Sequence, residues 1–250
     1  MVQLRRGLGW HPDTPDFRDF VYAAPVGITL EPEIDLRPFA PPIVDQTVTN
    51  SCVGNSSASM VRFLRRKLGL QPDFQPSRLF IYYFARRLQG WQAQDEGATI
   101  RDAMKVLEAD GVCDENDWPF EVERVNTRPD QLDLRSALAN KQLKYVRMKR
   151  DDNLYHLKHS LQMGLPFTFG ITVYSSFFDT GADGMVKMPR SSEDFEGGHA
   201  MYCLGYSDQA QRFIVANSWS DNWGDGGYCY LPYAYFANDD LSDDFWTLMH

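Results

Sequence analysis

The sequence predicts an α+β protein of two lobes, helices first and strands afterwards. Two observations carry this reading. After about residue 50 apolar residues recur at three- and four-residue spacing, and from about residue 165 they alternate with polar ones. Caps and glycines bracket the first set, whereas polar, Gly-bearing turns separate the second. With 250 residues, 43% apolar and 14% aromatic, the chain is long enough to bury a core and too apolar for disorder.

The elements follow in order. From Val53, the residues Met60, Val61, Leu64 and Leu68 form the stripe of a first helix. Asn50 or Ser51 is its cap, Arg65, Arg66 and Lys67 fill its last turn, and Gly69 is its stop. A second helix is expected over residues 77–88. A third opens at Thr99-x-x-Asp102, similar to a capping box, turns Ala103, Met104 and Leu107 to one face and ends at Gly111. A short helix over 153–163 precedes the strands. There Phe167, Phe169, Ile171 and Val173 alternate with Thr168, Gly170, Thr172 and Tyr174, and further strands are expected at 200–206, 212–216 and 227–231.

Charge and composition exclude several classes. A net charge of −9 gives no basic footprint for nucleic acid or an anionic membrane surface. No apolar run approaches the ~20 residues of a membrane helix. The start, M-V-Q-L-R-R-G-L-G-W, lacks the apolar segment of a secretory signal. Four cysteines without a C-x-x-C pair point to neither a zinc site nor a disulfide scaffold, so no metal and no cofactor are expected. Cys203 and Cys229 are free to sit in neighbouring strands, and they read as buried thiols.

Cys52 is different, because it lies among polar residues at a helix start. Free N–H groups and the positive end of the dipole there stabilise a thiolate, a use a structural cysteine does not have. A thiolate nucleophile needs a base that also protonates the leaving amine. His11 and His250 lie near the termini, and His156 and His159 fall on the polar side of a helix. His199 follows Gly197 and Gly198, whose backbone can approach a substrate, and stands at a strand start. Asn217 closes the next strand, where its amide oxygen can orient the imidazole.

Gln46-x5-Cys52, G-G-His199-A and Asn217-S-Trp219-x3-Trp223-G-x2-G-Tyr228 together resemble the papain family of cysteine peptidases. Residues 30–37 (L-E-P-E-I-D-L-R) resemble the start of a mature member, Glu96-Gly97-Ala98 a cleft-lining segment, and G-A-T-I-R-D-A-M-K-V-L the microbial members without a long propeptide. The resemblance implies a helical lobe at about 45–140 and an antiparallel, barrel-like strand lobe at about 30–44 and 141–250, with the active site in the cleft between them. It implies Cys52 as nucleophile, His199 as general acid–base, Asn217 as its orienter under the shield of Trp219, and Gln46 as donor to the oxyanion. Gly97 and Gly198 would present backbone to an extended peptide. Ile100, Gly170 and Ala200 would border an apolar pocket for the side chain two before the cut.

The chain departs from the family at Thr49-Asn50-Ser51-Cys52-Val53, where C-G-S-C-W is common, and at Asp95, which stands where a bridging cysteine often lies. Loss of both bridge partners suits a reducing compartment or a lineage that never used the bridge; a cytoplasmic peptidase acting as a monomer on peptide or protein substrates is expected, with export as an effector left open. A papain-like acyltransferase or amidase, and a non-catalytic peptide-binding relative, are the other readings. Residues 1–29 are too few for a helical prodomain, yet Trp10, Phe17, Phe20, Val21 and Tyr22 are aromatic or apolar. They are expected to form an arm docked on the strand-rich lobe rather than a plug in the cleft.

Overall fold

The computed structural model describes residues 6–141, 144–151 and 154–249. Helix α1 (Cys52–Lys67) runs between the two lobes, so its first turns are buried on all sides. Ser51 holds the cap position, but its hydroxyl bonds Thr49 Oγ1 and Asn55 Nδ2 rather than the helix backbone. Gly69, in the left-handed region, ends the helix as expected. Helix α2 (Arg78–Gln89) is capped by Ser77 Oγ, and α3 (Ile100–Ala109) by Thr99 Oγ1. The Thr99 hydroxyl also donates to Asp102 Oδ2 at 2.9 Å, a local variant of the capping box. Helices α1 to α3 enclose one apolar core. Helix α4 (Gln131–Leu138) was not expected, although Asp130 and Asp133 form a complete capping box at its start. Helix α5 (Tyr155–Gln162) is shorter than the predicted 153–163, and Asn153 lies outside the described residues, as does His250.

The strand lobe is an open, mixed sheet rather than a barrel. Its strands are β1 (Val21–Tyr22), β2 (Glu33–Asp35), β3 (Lys144–Met148), β4 (Phe167–Tyr174), β5 (Phe195–Ser207), β6 (Arg212–Ala216), β7 (Tyr228–Pro232) and β8 (Ser242–Met249). The order is β1-β3-β8-β4-β5-β6-β7, with β2 also on β5; β1 pairs with β3 in parallel, and the other named strand pairs among the described residues are antiparallel. Phe167, Phe169, Ile171 and Val173 enter a second core, where Phe169 and Phe213 both pack on Phe236 of the short helix α6 (Tyr233–Phe236). The other face of β4 is buried too, because α1 covers it; Thr168 Oγ1 donates to Ser56 Oγ at 3.0 Å. Lys67, at the end of α1, donates to the terminal carbonyl of Gly164 after α5 at 2.7 Å, a cation at a helix C-terminus.

The N-terminal segment divides in two. Residues 13–31 are a docked arm. Asp19 pairs with Arg101, β1 lies on β3, the Ala24 N–H donates to His156 Nδ1, and the Glu31 N–H donates to Gln162 Oε1. The arm is held by hydrogen bonds and ion pairs more than by its aromatics, since Phe17 and Phe20 are exposed. Residues 6–11 do something else.

Candidate active site

Cys52 is the first residue of α1, His199 lies in β5, and Asn217 follows the last residue of β6. Pairing of β5 with β6 brings the two strand residues together: His199 Nε2 and Asn217 Oδ1 are 2.7 Å apart. Asn217 Oδ1 also accepts the Ser218 N–H at 2.8 Å, which identifies that atom as the oxygen. Nε2 therefore donates, and Nδ1 keeps the lone pair a base needs. Trp219 covers the ring at a centroid separation of 4.8 Å, and its own burial excludes water from the bond.

Gln46 is fully buried and its amide is held at both ends. The oxygen accepts from Ser218 Oγ at 2.7 Å, and the nitrogen donates to the Thr49 carbonyl at 2.8 Å. Ser218, absent from the residues singled out in the sequence, thus orients both Asn217 and Gln46. Its position directly after Asn217 was the available signal. The second bond of the Gln46 nitrogen goes to the Gly7 carbonyl at 3.0 Å.

Residues 6–11 fill the cleft. Beyond the Gln46–Gly7 contact, backbone N–H groups of Gly9 and Ala200, with those of Val53 and Cys52, point at the sulfur. The Trp10 N–H donates to the Gly198 carbonyl at 2.9 Å, and the Gly9 carbonyl and His11 N–H bracket Ala98 in a parallel bridge. Ala98, rather than Gly97, supplies the pairing backbone; the Gly97 N–H is taken by Tyr82 Oη. Gly97 gives clearance, since a Cβ there would stand 2.3 Å from the Gly9 carbonyl oxygen. The fit is as tight from the side of the N-terminal segment: a Cβ on Gly9 would lie 1.9 Å from the Asn50 carbonyl oxygen.

Trp10 enters the pocket expected beside Gly170 and Ala200. Gly170 has room for it only because it lacks a side chain; a Cβ would be 1.9 Å from the indole. Ile100 and Ala200 belong to the same buried cluster. The pocket is not wholly apolar, however, because the indole N–H donates to Asp244 Oδ2 at 3.2 Å. The Asp13 N–H donates to the same oxygen, and Arg147 pairs with the other. Burial and the neighbouring Asp13 carboxyl push Asp244 up to about 7. Nothing local in S-D-D-F-W marked Asp244 as a pocket residue.

Enclosure works against the thiolate that the helix start favours. Burial pushes Cys52 up to about 11 despite its four N–H donors, and burial takes His199 down to about 4 despite the Asn217 bond. Both groups are fully enclosed, so the desolvation cost of an ion exceeds the help of the helix start. Among the described residues no hydrogen bond joins the sulfur to the ring, and His199 Nδ1 is buried without a partner. In the covered site burial therefore acts against the charged form of both groups.

The missing bridge has a polar substitute. Asp95 accepts the Asn50 N–H and the Tyr82 hydroxyl, while Asn50 Nδ2 donates to the Asp95 carbonyl. These bonds tie the segment before Cys52 to the segment before Gly97. All four cysteines are free and buried.

The family model of papain family cysteine proteases matches residues 91–238. An uncharacterized peptidase C1-like protein of Acanthamoeba polyphaga mimivirus is 34% identical over 98% of this chain and 87% of its own length, which includes the Gln46–Cys52 region. The crystal structure of xylellain, a cysteine protease from Xylella fastidiosa, superposes with a TM-score of 0.90 at 36% identity, covering 99% of this chain and 98% of that one. Digestive procathepsin L 3 of Tenebrio molitor larval midgut shares the fold at a TM-score of 0.74 and 18% identity, covering 99% and 77%.

Proposed function

The chain belongs to the papain family of cysteine proteases, and from that premise we propose that it hydrolyses peptide bonds through Cys52, His199 and Asn217, with residues 6–11 holding the site at rest. The observation that carries this reading is the Ser218–Asn217–His199 chain of hydrogen bonds, which leaves Nδ1 as the basic nitrogen next to the strand backbone that touches the sulfur.

When the cleft opens, water and substrate reach a thiol and imidazole whose ionisation burial no longer opposes. His199 Nδ1 takes the thiol proton, the sulfur attacks the peptide carbonyl, and the oxyanion accepts from Gln46 Nε2 and the Cys52 N–H. The imidazolium then protonates the leaving amine, and water, deprotonated by the same nitrogen, releases the acid from the acyl-enzyme. Residues 6–11 escape this chemistry by their direction. They run from Gln46 past the sulfur to the Trp10 pocket, whereas a substrate would place its N-terminal side in that pocket. The Gly9 N–H faces the sulfur and favours its charged form.

The test is release of an aminocoumarin from a peptidyl amide under reducing conditions, in the full chain carrying Gly9→Ala so that the cleft is open. Hydrolysis is expected, with His199→Ala losing more activity than Asn217→Ala, because the latter keeps the base and loses only its orientation. Equal losses would remove the orienting role from Asn217. A chain that releases no dye in any form would overturn the peptidase reading.

Gln46→Ala is expected to lower kcat by roughly 10²-fold, the usual cost of one oxyanion donor. Because Gln46 also bonds Thr49 and Ser218, the Michaelis constant is followed in parallel. An unchanged kcat would dismiss Gln46 from the site.

A further inference from the structure

The segment in the cleft also reports what the cleft binds. Its residues pass four places in order: Arg6 a cavity on the Trp219 side, Gly7 the Gln46 amide, Gly9 the sulfur, and Trp10 the pocket beside Gly170. If a substrate's N-terminal half occupies the Trp10 pocket, the cavity around Arg6 receives residues after the cut.

That cavity has a volume of about 670 Å³ with Arg6 in place as one of its walls, and the carboxylates of Asp45 and Glu196 line it together with Phe178, Trp219 and Trp223. The Arg6 guanidinium meets the Asp45 carboxylate and donates to the Trp219 carbonyl at 3.1 Å. The carboxylate is fixed in place before any ligand arrives. Asp45 Oδ1 accepts the Thr47 N–H at 2.8 Å, and Thr47 adopts a left-handed φ of 55° in that turn. The Asp45 backbone is held from both lobes, by a bridge to Trp219 and by Arg78 donating to its carbonyl at 2.9 Å. Trp219 and Trp223, with ring centroids 5.3 Å apart, supply the aromatic wall along which the stem of a long cationic side chain packs.

We propose that Asp45 makes this cavity a subsite for an arginine or lysine side chain on the leaving-group side of the scissile bond. The proposal rests on the peptidase reading and adds a selectivity that reading does not contain. Arg6 is the resting occupant, and a substrate's cation takes its place when residues 6–11 leave. A planar guanidinium can meet the carboxylate and the Trp219 carbonyl together, so arginine ranks above lysine. Glutamate at the same place meets a fixed like charge and ranks last.

The experiment uses the full chain with Arg6→Ala and Gly9→Ala, which clears the cavity and opens the cleft. Internally quenched peptides share one sequence before the cut and carry Arg, Lys, Ala or Glu at the first or second position after it. Asp45 is about a third exposed, so the preference is set by a partly screened pair. An Arg-to-Glu ratio of kcat/KM of roughly tenfold is expected at low salt, shrinking toward one near 0.5 M salt. Within the Asp45→Asn chain, where an amide oxygen can still receive the Thr47 N–H, the ratio is expected to fall to about twofold or less. The ratio is taken inside each variant, so a general loss of activity does not disturb it. Should Asp45→Asn fail to fold, the salt dependence in the parent chain decides. A ratio near one at low salt, or one that Asp45→Asn leaves intact, would overturn the subsite. The dye-releasing amide has no residue after the cut. If it is hydrolysed while Arg and Glu peptides are cut alike, the subsite falls alone; if nothing is hydrolysed, the peptidase reading falls and takes the subsite with it.

Discussion

Cys52→Ala is expected to abolish turnover, because the acyl-enzyme route has no second nucleophile within the site. In triads that act as one unit, removal of the nucleophile costs on the order of 10⁶ in rate. The same thiol gives a second readout by alkylation. In the resting chain Cys52 is fully enclosed and held up to about 11, so iodoacetamide near pH 6–7 should label it slowly, with the rate rising only at strongly alkaline pH. With Gly9→Ala, solvent reaches the sulfur, the burial cost falls and Cys52 becomes the fastest of the four thiols. Burial also holds Cys113 (up to about 12), Cys203 and Cys229 in the protonated form, and none of them lies in the cleft. Turnover by Cys52→Ala, or faster labelling of Cys113, Cys203 or Cys229 in the opened chain, would remove Cys52 as nucleophile.

The second large effect is gain of activity from Gly9→Ala in the full chain. The added methyl would stand 1.9 Å from the Asn50 carbonyl oxygen, backbone against backbone, so no side chain can swing aside. Insertion of a methyl into a filled site costs typically 1–3 kcal/mol, which corresponds to roughly 5- to 150-fold in occupancy. Dye release should rise by a factor in that range as the covered fraction falls. Gly9 lies outside the catalytic set, and the docked arm beyond Asp13 keeps its own contacts, so the fold is not at stake. Unchanged activity in a folded Gly9→Ala chain would show that residues 6–11 do not limit access.

Much of this site was legible from residues near one another in sequence. The Cys52 helix start, the glycines before His199 and the N-S-W run each carry local chemistry, and the strand 167–174 showed its period plainly. The unread parts depend on partners far along the chain. β8 shows no alternation because both faces are buried, and Asp243 and Asp244 interrupt its apolar run. Helix α4 was readable from D-Q-L-D, but its apolar stripe is short. The plug is the instructive case. G-L-G-W sets bare backbone at positions 7 and 9 and bulk at 8 and 10, a pattern for close approach between two backbone segments. What it approaches, Asn50, Ala98 and Gly198, is set by tertiary structure. The burial that acts against the ions of Cys52 and His199 was hidden for the same reason, since it comes from residues distant in sequence.

Docking of the arm at Asp13 also sets how the cleft can be freed. Asp13 is pinned by Trp246, by the Arg101 N–H and by its own N–H on Asp244, only two residues after the last contact in the cleft. A tether this short gives its cargo an effective concentration in the millimolar range. A segment with an intrinsic dissociation constant of about 10 µM would then cover the sulfur about 99% of the time, at any dilution of the protein. One cut between His11 and Asp13 ends that advantage. The released piece faces the cleft at the protein's own concentration, about 1 µM in an ordinary assay, and coverage drops below about 10%. Uncovering the site by such a cut is a one-way event, without any change in the affinity of the piece for the cleft.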